Sequence, residues 1–114
     1  MISEEQAVQF LRSRRSIRAC KDKPVEREKI KRLIQMARYA PTGGNSQLVE
    51  WLVPTDKSKL HDISRLTIEA SRRDITERPQ MLASNPYLPI IAKAWEAGHD
   101  SILWNAPVLV VPRR

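Results

Sequence analysis

The chain is poor in several residue types, and each shortage closes off a class of function. Its 114 residues include one cysteine, Cys20, so no internal disulfide can form and a metal site of several cysteines is excluded. The two histidines, His61 and His99, stand apart with no partner at metal-ligand spacing. Of the three glycines, Gly43 and Gly44 are adjacent and Gly98 is alone. Neither the Gly-x-Gly-x-x-Gly of dinucleotide folds nor the Gly-Lys-Ser/Thr that closes a P-loop is present. Aromatic residues make up 5% of the chain, and it carries no aromatic platform, zinc-finger or helix-turn-helix signature. No apolar run approaches the roughly 20 residues that span a bilayer. The opening MISEEQAVQF is acidic where a secretory signal is basic. With the lone cysteine, this makes a reducing cytoplasm the expected compartment.

What is abundant is positive charge. Twenty Lys and Arg oppose thirteen Asp and Glu, for a net charge of +7. An apolar fraction of 41% and a charged fraction of 29% fit one globular domain over residues 1–114. Such a balance favours anionic partners: nucleic acid, acidic lipid or a phosphorylated ligand. Most of the cations, however, interleave with Asp and Glu and read as solvated helix faces. Only residues 12–18 and 72–73 are locally dense.

Ser3 followed by Gln6 forms a capping-box pattern, and Ala7, Phe10 and Leu11 fall at helical spacing, which predicts a helix over 4–13. Pro24 opens a second segment whose Ile30, Leu33, Ile34 and Ala37 make an apolar stripe. It should stop near Ala40, before Pro41 and the glycine pair. LVEWLVP predicts a strand over 49–53, with apolar residues at both parities and hence cover on both faces. Asp56 or Ser58 can cap a third helix carrying Leu60, Ile63, Leu66 and Ala70. Pro79, Pro86 and Pro89 break up 79–89. A short helix follows over 90–97, stopped by Gly98, and APVLVVP predicts a second strand over 108–111. Strands joined through helices tend to be parallel, and two are few for a covered sheet. Trp51, Trp95 and Trp104, with Met36 and Met81, are expected to pack the core, and Cys20 to be buried or incidental.

Two stretches invite chemistry. RRSIR, residues 14–18, sets three arginines around one serine and one isoleucine. It can be a solvated basic turn at a helix C-terminus, a nucleic-acid contact, or a cradle in which arginine forks and the Ser16 hydroxyl hold a phosphate. APTGGNSQ, residues 40–47, places Asn45 and Gln47 beside a glycine pair that lets backbone approach a ligand. It can be a helix stop with a polar loop, or a set of donors and acceptors that reads the edge of a heterocycle.

Taken in order, RRSIR, then KPVEREKIKRLIQMARYAPTGGNSQ, then EWLVPTD resembles the N-terminal half of the nitroreductase family of FMN-dependent oxidoreductases. It is most similar to the branch whose loop reads Ala-Pro-Thr-Gly-Gly-Asn, sometimes fused to a ferredoxin domain. The likeness is close over 10–56, and NAPVLVV (105–111) resembles the family's next strand. The resemblance implies an α+β fold, a nitroreductase-like α-β sandwich, incomplete here, that works as a homodimer with FMN at the subunit interface. By that resemblance Arg14, Arg15, Ser16 and Arg18 hold the FMN phosphate and ribityl chain. Pro41, Thr42, Asn45 and Gln47 line the flavin, often from the partner subunit. The implied reaction is ping-pong: NAD(P)H delivers hydride to flavin, which passes electrons to a nitroaromatic, quinone or similar small acceptor. It names no acid–base side chain and no metal.

The chain is expected to be truncated after its second strand, so that it is an inactive fragment of such an enzyme or retains only part of the site. The competing reading is a small basic nucleic-acid-binding module using 12–18 and 72–73 on phosphates, with steep salt dependence. A third is a remnant that binds neither.

Overall fold

The computed structural model describes residues 1–113. Helix α1 spans Glu4–Ser13, and its start is the expected capping box: the Ser3 hydroxyl accepts from the Gln6 N–H while the Gln6 side chain accepts from the Ser3 N–H. In its first turn the Glu5 carboxyl is held below its ordinary range, first by its own backbone N–H and second by the Ser3 side chain. Helix α2 spans Arg27–Ala37, and α3 spans Lys57–Glu77 with Asp56 as its N-cap. Helix α4 is a single turn, Met81–Ser84, and α5 spans Leu88–Glu96 with Pro89 in its first turn. Gly98, at φ 83°, takes the left-handed conformation just past the end of α5, as its position predicted.

The centre of the molecule is the α3–α5 pair. The buried apolar side chains are Leu60 and Ile68 on α3 and Ala92 on α5, which packs against it, and Ile68 is only 1% exposed. Ser64 and Ser71 are buried on the same face of α3, small enough to let the helices approach. Ser71 bonds back to the Thr67 carbonyl at 2.9 Å, whereas Ser64 reaches the loop after α5. An exposed ion pair, Arg72 to Glu96 at 2.8 Å, joins the same two helices from outside.

The sheet departs from expectation. Strand β1 is Glu50–Leu52 and β2 is Val111–Arg113, and the two run antiparallel, with Trp51 opposite Pro112. Helical connections favour parallel pairing only where the chain must return along a sheet of several strands. Here a 58-residue excursion leaves direction free. Regular pairing begins later than the apolar run 108–111, although Leu109 continues the same register opposite Pro54: its N–H donates to the Pro54 carbonyl at 3.2 Å, and Pro54, having no N–H, cannot return the bond. Nor is β1 covered on both faces, for Glu50 and Leu52 are exposed and only Trp51 is half-buried. The ribbon is stapled by Arg113, whose Nε donates to Glu50 Oε2 at 2.7 Å.

Helices α1 and α2 contribute nothing to the buried core. Phe10 and Leu11 are 76% and 74% exposed, and Ile17 beyond them is also exposed. Met36 and Met81 sit at the surface rather than in the core. The molecule measures 52 × 34 × 31 Å with a radius of gyration of 17.8 Å, against about 13 Å for a compact chain of this length. Among the described residues no helix is long and apolar enough to cross a membrane.

Candidate functional site

The arginine loop begins where α1 ends. Arg14 is the C-cap, its backbone leaves the helix, and residues 14–20 follow as exposed irregular chain. The three guanidiniums then part company. Arg15 Nη1 donates to the carbonyls of Arg12 and Arg14, at 2.8 and 3.0 Å, satisfying acceptors left open by the helix end. Arg18 lies over the ring of Trp104, its Cζ 6.0 Å from the centroid. Among the described residues Arg14 and Arg18 take part in no ion pair. Ser16 is exposed between them.

The second loop leaves α2. Thr42 is extended, Gly43–Asn45 make one 3₁₀ turn with Gly44 at φ 60°, and Asn45 and Gln47 take positive φ of 53° and 51°. Asparagine tolerates that conformation well and glutamine poorly, so the backbone strain of this loop falls at Gln47. It is tied within itself. The Asn45 N–H donates to the Thr42 carbonyl at 2.9 Å, the Gln47 N–H to Thr42 Oγ1 at 3.1 Å, and Gln47 Nε2 to Asn45 Oδ1 at 3.4 Å. Thr42 is thus the internal clamp of the loop, and the Pro41, Asn45 and Gln47 side chains are exposed.

Between α2 and the sheet the space is not filled. One cavity of about 930 Å³ takes in Pro41, Thr42 and Gln47 together with Trp51. A second, of about 740 Å³, shares Ile34, Gln35 and Trp51 with it. The larger cavity contains Pro41, Thr42 and Gln47 but neither Asn45 nor any of Arg14, Arg15, Ser16 and Arg18. Within this chain the eight sequence-read residues therefore form two groups: 14–18 beside the turn that carries Trp104, and 41–47 beside α2 and β1.

The family model of the nitroreductase family matches residues 11–114. The chain belongs to the nitroreductase family. Both loops lie inside the matched span. Among solved structures, a BluB-like flavoprotein from Clostridium difficile 630 superposes with a TM-score of 0.63 at 24% identity. The match covers 96% of this nitroreductase-family chain and 48% of the flavoprotein, so the chain spans about half that protein's length. At this identity the likeness is one of fold, and the fold is the α+β arrangement expected for an incomplete nitroreductase. None of the curated proteins matches.

His61 is exposed and stacks on Trp95 with ring centroids 5.1 Å apart, and among the described residues no cluster could hold a metal ion. Cys20 is exposed rather than buried. The sequence pattern places Trp104 in the core. It stands instead at the surface beneath Arg18, on a turn whose positive φ no residue pattern announces. The one legible hint was Asp100, a residue type that readily caps a turn through its own side chain.

Proposed function

We propose that this chain carries the FMN-binding part of a flavin-dependent oxidoreductase that works as a homodimer in the cytoplasm. The observation that carries the proposal is the family match, which spans both loops in one continuous stretch. The chemistry of the residues is in keeping with it. A phosphomonoester bears about −1.5 to −2 charges near neutral pH. Arg14 and Arg18 offer guanidinium edges that no carboxylate occupies among the described residues, and Ser16 adds a hydroxyl between them. Arg15 acts one step back, fixing the helix end from which the loop departs. Asn45 and Gln47 supply amide donors and acceptors for the polar edge of a heterocycle, and Pro41 supplies a flat apolar surface. Thr42 holds that loop in shape.

The separation of the two groups within one chain favours a site shared between protomers, with the arginine loop of one protomer and the 41–47 loop of its partner on one cofactor. When bound, FMN would supply hydride and electron transfer between NAD(P)H and a small acceptor such as a nitroaromatic or quinone. The protein's part is to bind the phosphate, orient the ring and exclude water, and no side chain is needed as acid or base.

The test is an absorption spectrum of size-fractionated protein before and after addition of FMN. Flavin absorbance co-eluting with protein at dimer size is the expected result. Protein that stays colourless in excess FMN would sink the assignment for this chain.

A further inference from the structure

The backbone at Trp104 adopts a conformation that large side chains avoid. Its φ is 55° and that of Asn105 is 52°, both in the left-handed region. The turn is held from beneath. Ser64, 0% exposed on α3, donates to Asp100 Oδ2 at 2.9 Å. Asp100 Oδ1 accepts from the N–H groups of Ile102 and Leu103, at 2.9 and 3.0 Å. The Ala106 N–H then closes onto the Leu103 carbonyl at 2.9 Å. A buried hydroxyl, a carboxylate and a closed turn thus fix an indole that remains 40% exposed. Burial does not explain the strain at this residue, and Arg18 lies over its ring, Cζ 6.0 Å from the centroid.

That contact has a chemical consequence. A cation held against the face of an aromatic ring uses none of its in-plane N–H donors, so all remain free for an oxyanion. A carboxylate partner would have occupied them. We propose that Trp104 is a positioning residue for Arg18: the indole, set in place by Ser64 and Asp100, holds the guanidinium by its face and leaves its edge open to a phosphate. The identity of that phosphate, as the one on FMN, rests on the function proposed above; the positioning does not. Trp104 therefore affects ligand binding only through Arg18 and only for ligands that carry the phosphate.

The contact is read first without any flavin. The Arg18 Nε–H resonance, assigned by its loss in Arg18→Lys, is expected upfield from the ring current of Trp104, to lose that shift in Trp104→Leu and to keep most of it in Trp104→Phe. An Arg18 resonance at its ordinary position in the unmodified protein overturns the proposal, and this reading needs only the conservative, surface Arg18→Lys variant to fold, for the assignment. Inorganic phosphate is then titrated, followed at the backbone N–H groups of Ser16 and Arg18. Trp104→Leu should weaken apparent phosphate affinity about two- to fivefold, the worth of an exposed cation–π contact. Trp104→Phe should restore most of it, and Trp104→Leu should cost nothing further in an Arg18→Ala background. A loss that persists in that background overturns the positioning role. Last, FMN is compared with riboflavin: Trp104→Leu should weaken the first and spare the second, and equal losses overturn the proposal. Protein that shows the Trp104-dependent phosphate response yet takes up neither flavin would support the positioning and sink the flavin assignment.

Discussion

Arg14, Arg15 and Arg18 carry the same guanidinium in three different settings, and their settings decide what each can do. Arg15 is already committed to two backbone carbonyls, whereas Arg14 and Arg18 keep their donors. Replacing Arg14 or Arg18 by alanine should weaken FMN binding about tenfold or more, the range of a lost hydrogen bond to a charged group. Arg15→Ala should leave affinity within about threefold and act instead by loosening the end of α1, at a cost of about 0.5–1.5 kcal/mol. Parallel flavin titrations and amide exchange at residues 10–14 separate the two effects; an Arg15 loss equal to the others would contradict the division. At this scale the sequence was legible in kind but not in role. Residue types and spacing singled out the arginine cluster and the 40–47 loop. They could not say which arginine turns back on its own helix, because that depends on the dihedrals of one loop. The same limit hid Trp104, whose surface position follows from a left-handed φ of 55° and a buried serine 40 positions earlier in the chain.

Among the elements, the helices were legible and the strands less so. Caps and apolar spacing carry local information, so Ser3 and Asp56 mark the starts of α1 and α3 and Gly98 the end of α5 to within a residue or two, whereas Pro89, expected to break the chain, lies in the first turn of α5. A strand has no such local stops, and its extent depends on a partner elsewhere. Leu109 N–H bonds to Pro54, and β2 begins only at Val111. The elements also differ in what they stabilise. Ile68→Ala, in the α3–α5 interface, should cost about 2–5 kcal/mol, a large share of the stability of so small a core. Phe10→Ala on α1, exposed within one chain, should change the stability of the dissociated chain by no more than about 0.5 kcal/mol, with a larger effect only as rising protein concentration brings two chains together. Urea unfolding followed by far-UV circular dichroism checks both, and a Phe10 effect as large as that of Ile68 would mean that α1 is packed in solution.

The whole molecule exposes 9902 Å². A compact monomer of its 13.1 kDa would expose about 6,400 Å², leaving an excess of about 3,500 Å². Stable obligate interfaces bury about 2,000–5,000 Å² over both partners, or about 1,000–2,500 Å² per chain, so the excess is more than enough surface for one such interface. Light scattering on purified protein should accordingly give a particle of two chains at micromolar concentration, and Phe10→Asp together with Leu11→Asp should shift it toward monomer. A monodisperse monomer at tens of micromolar would argue against the shared site. No sequence pattern gave this excess, because apolar stripes tell which face of a helix seeks cover and not whether its own chain provides it. The two-stranded ribbon adds a direction to that need. Pro112 has no N–H, so its pairing with Trp51 is the kind in which both residues turn their backbone groups away from each other. The free side of β2 therefore lacks a donor at its midpoint, while the free side of β1 presents the Trp51 N–H and carbonyl together. A strand arriving from any other polypeptide segment would find a full set of bonds along β1 alone, which gives this small sheet a growing side and a blunt one.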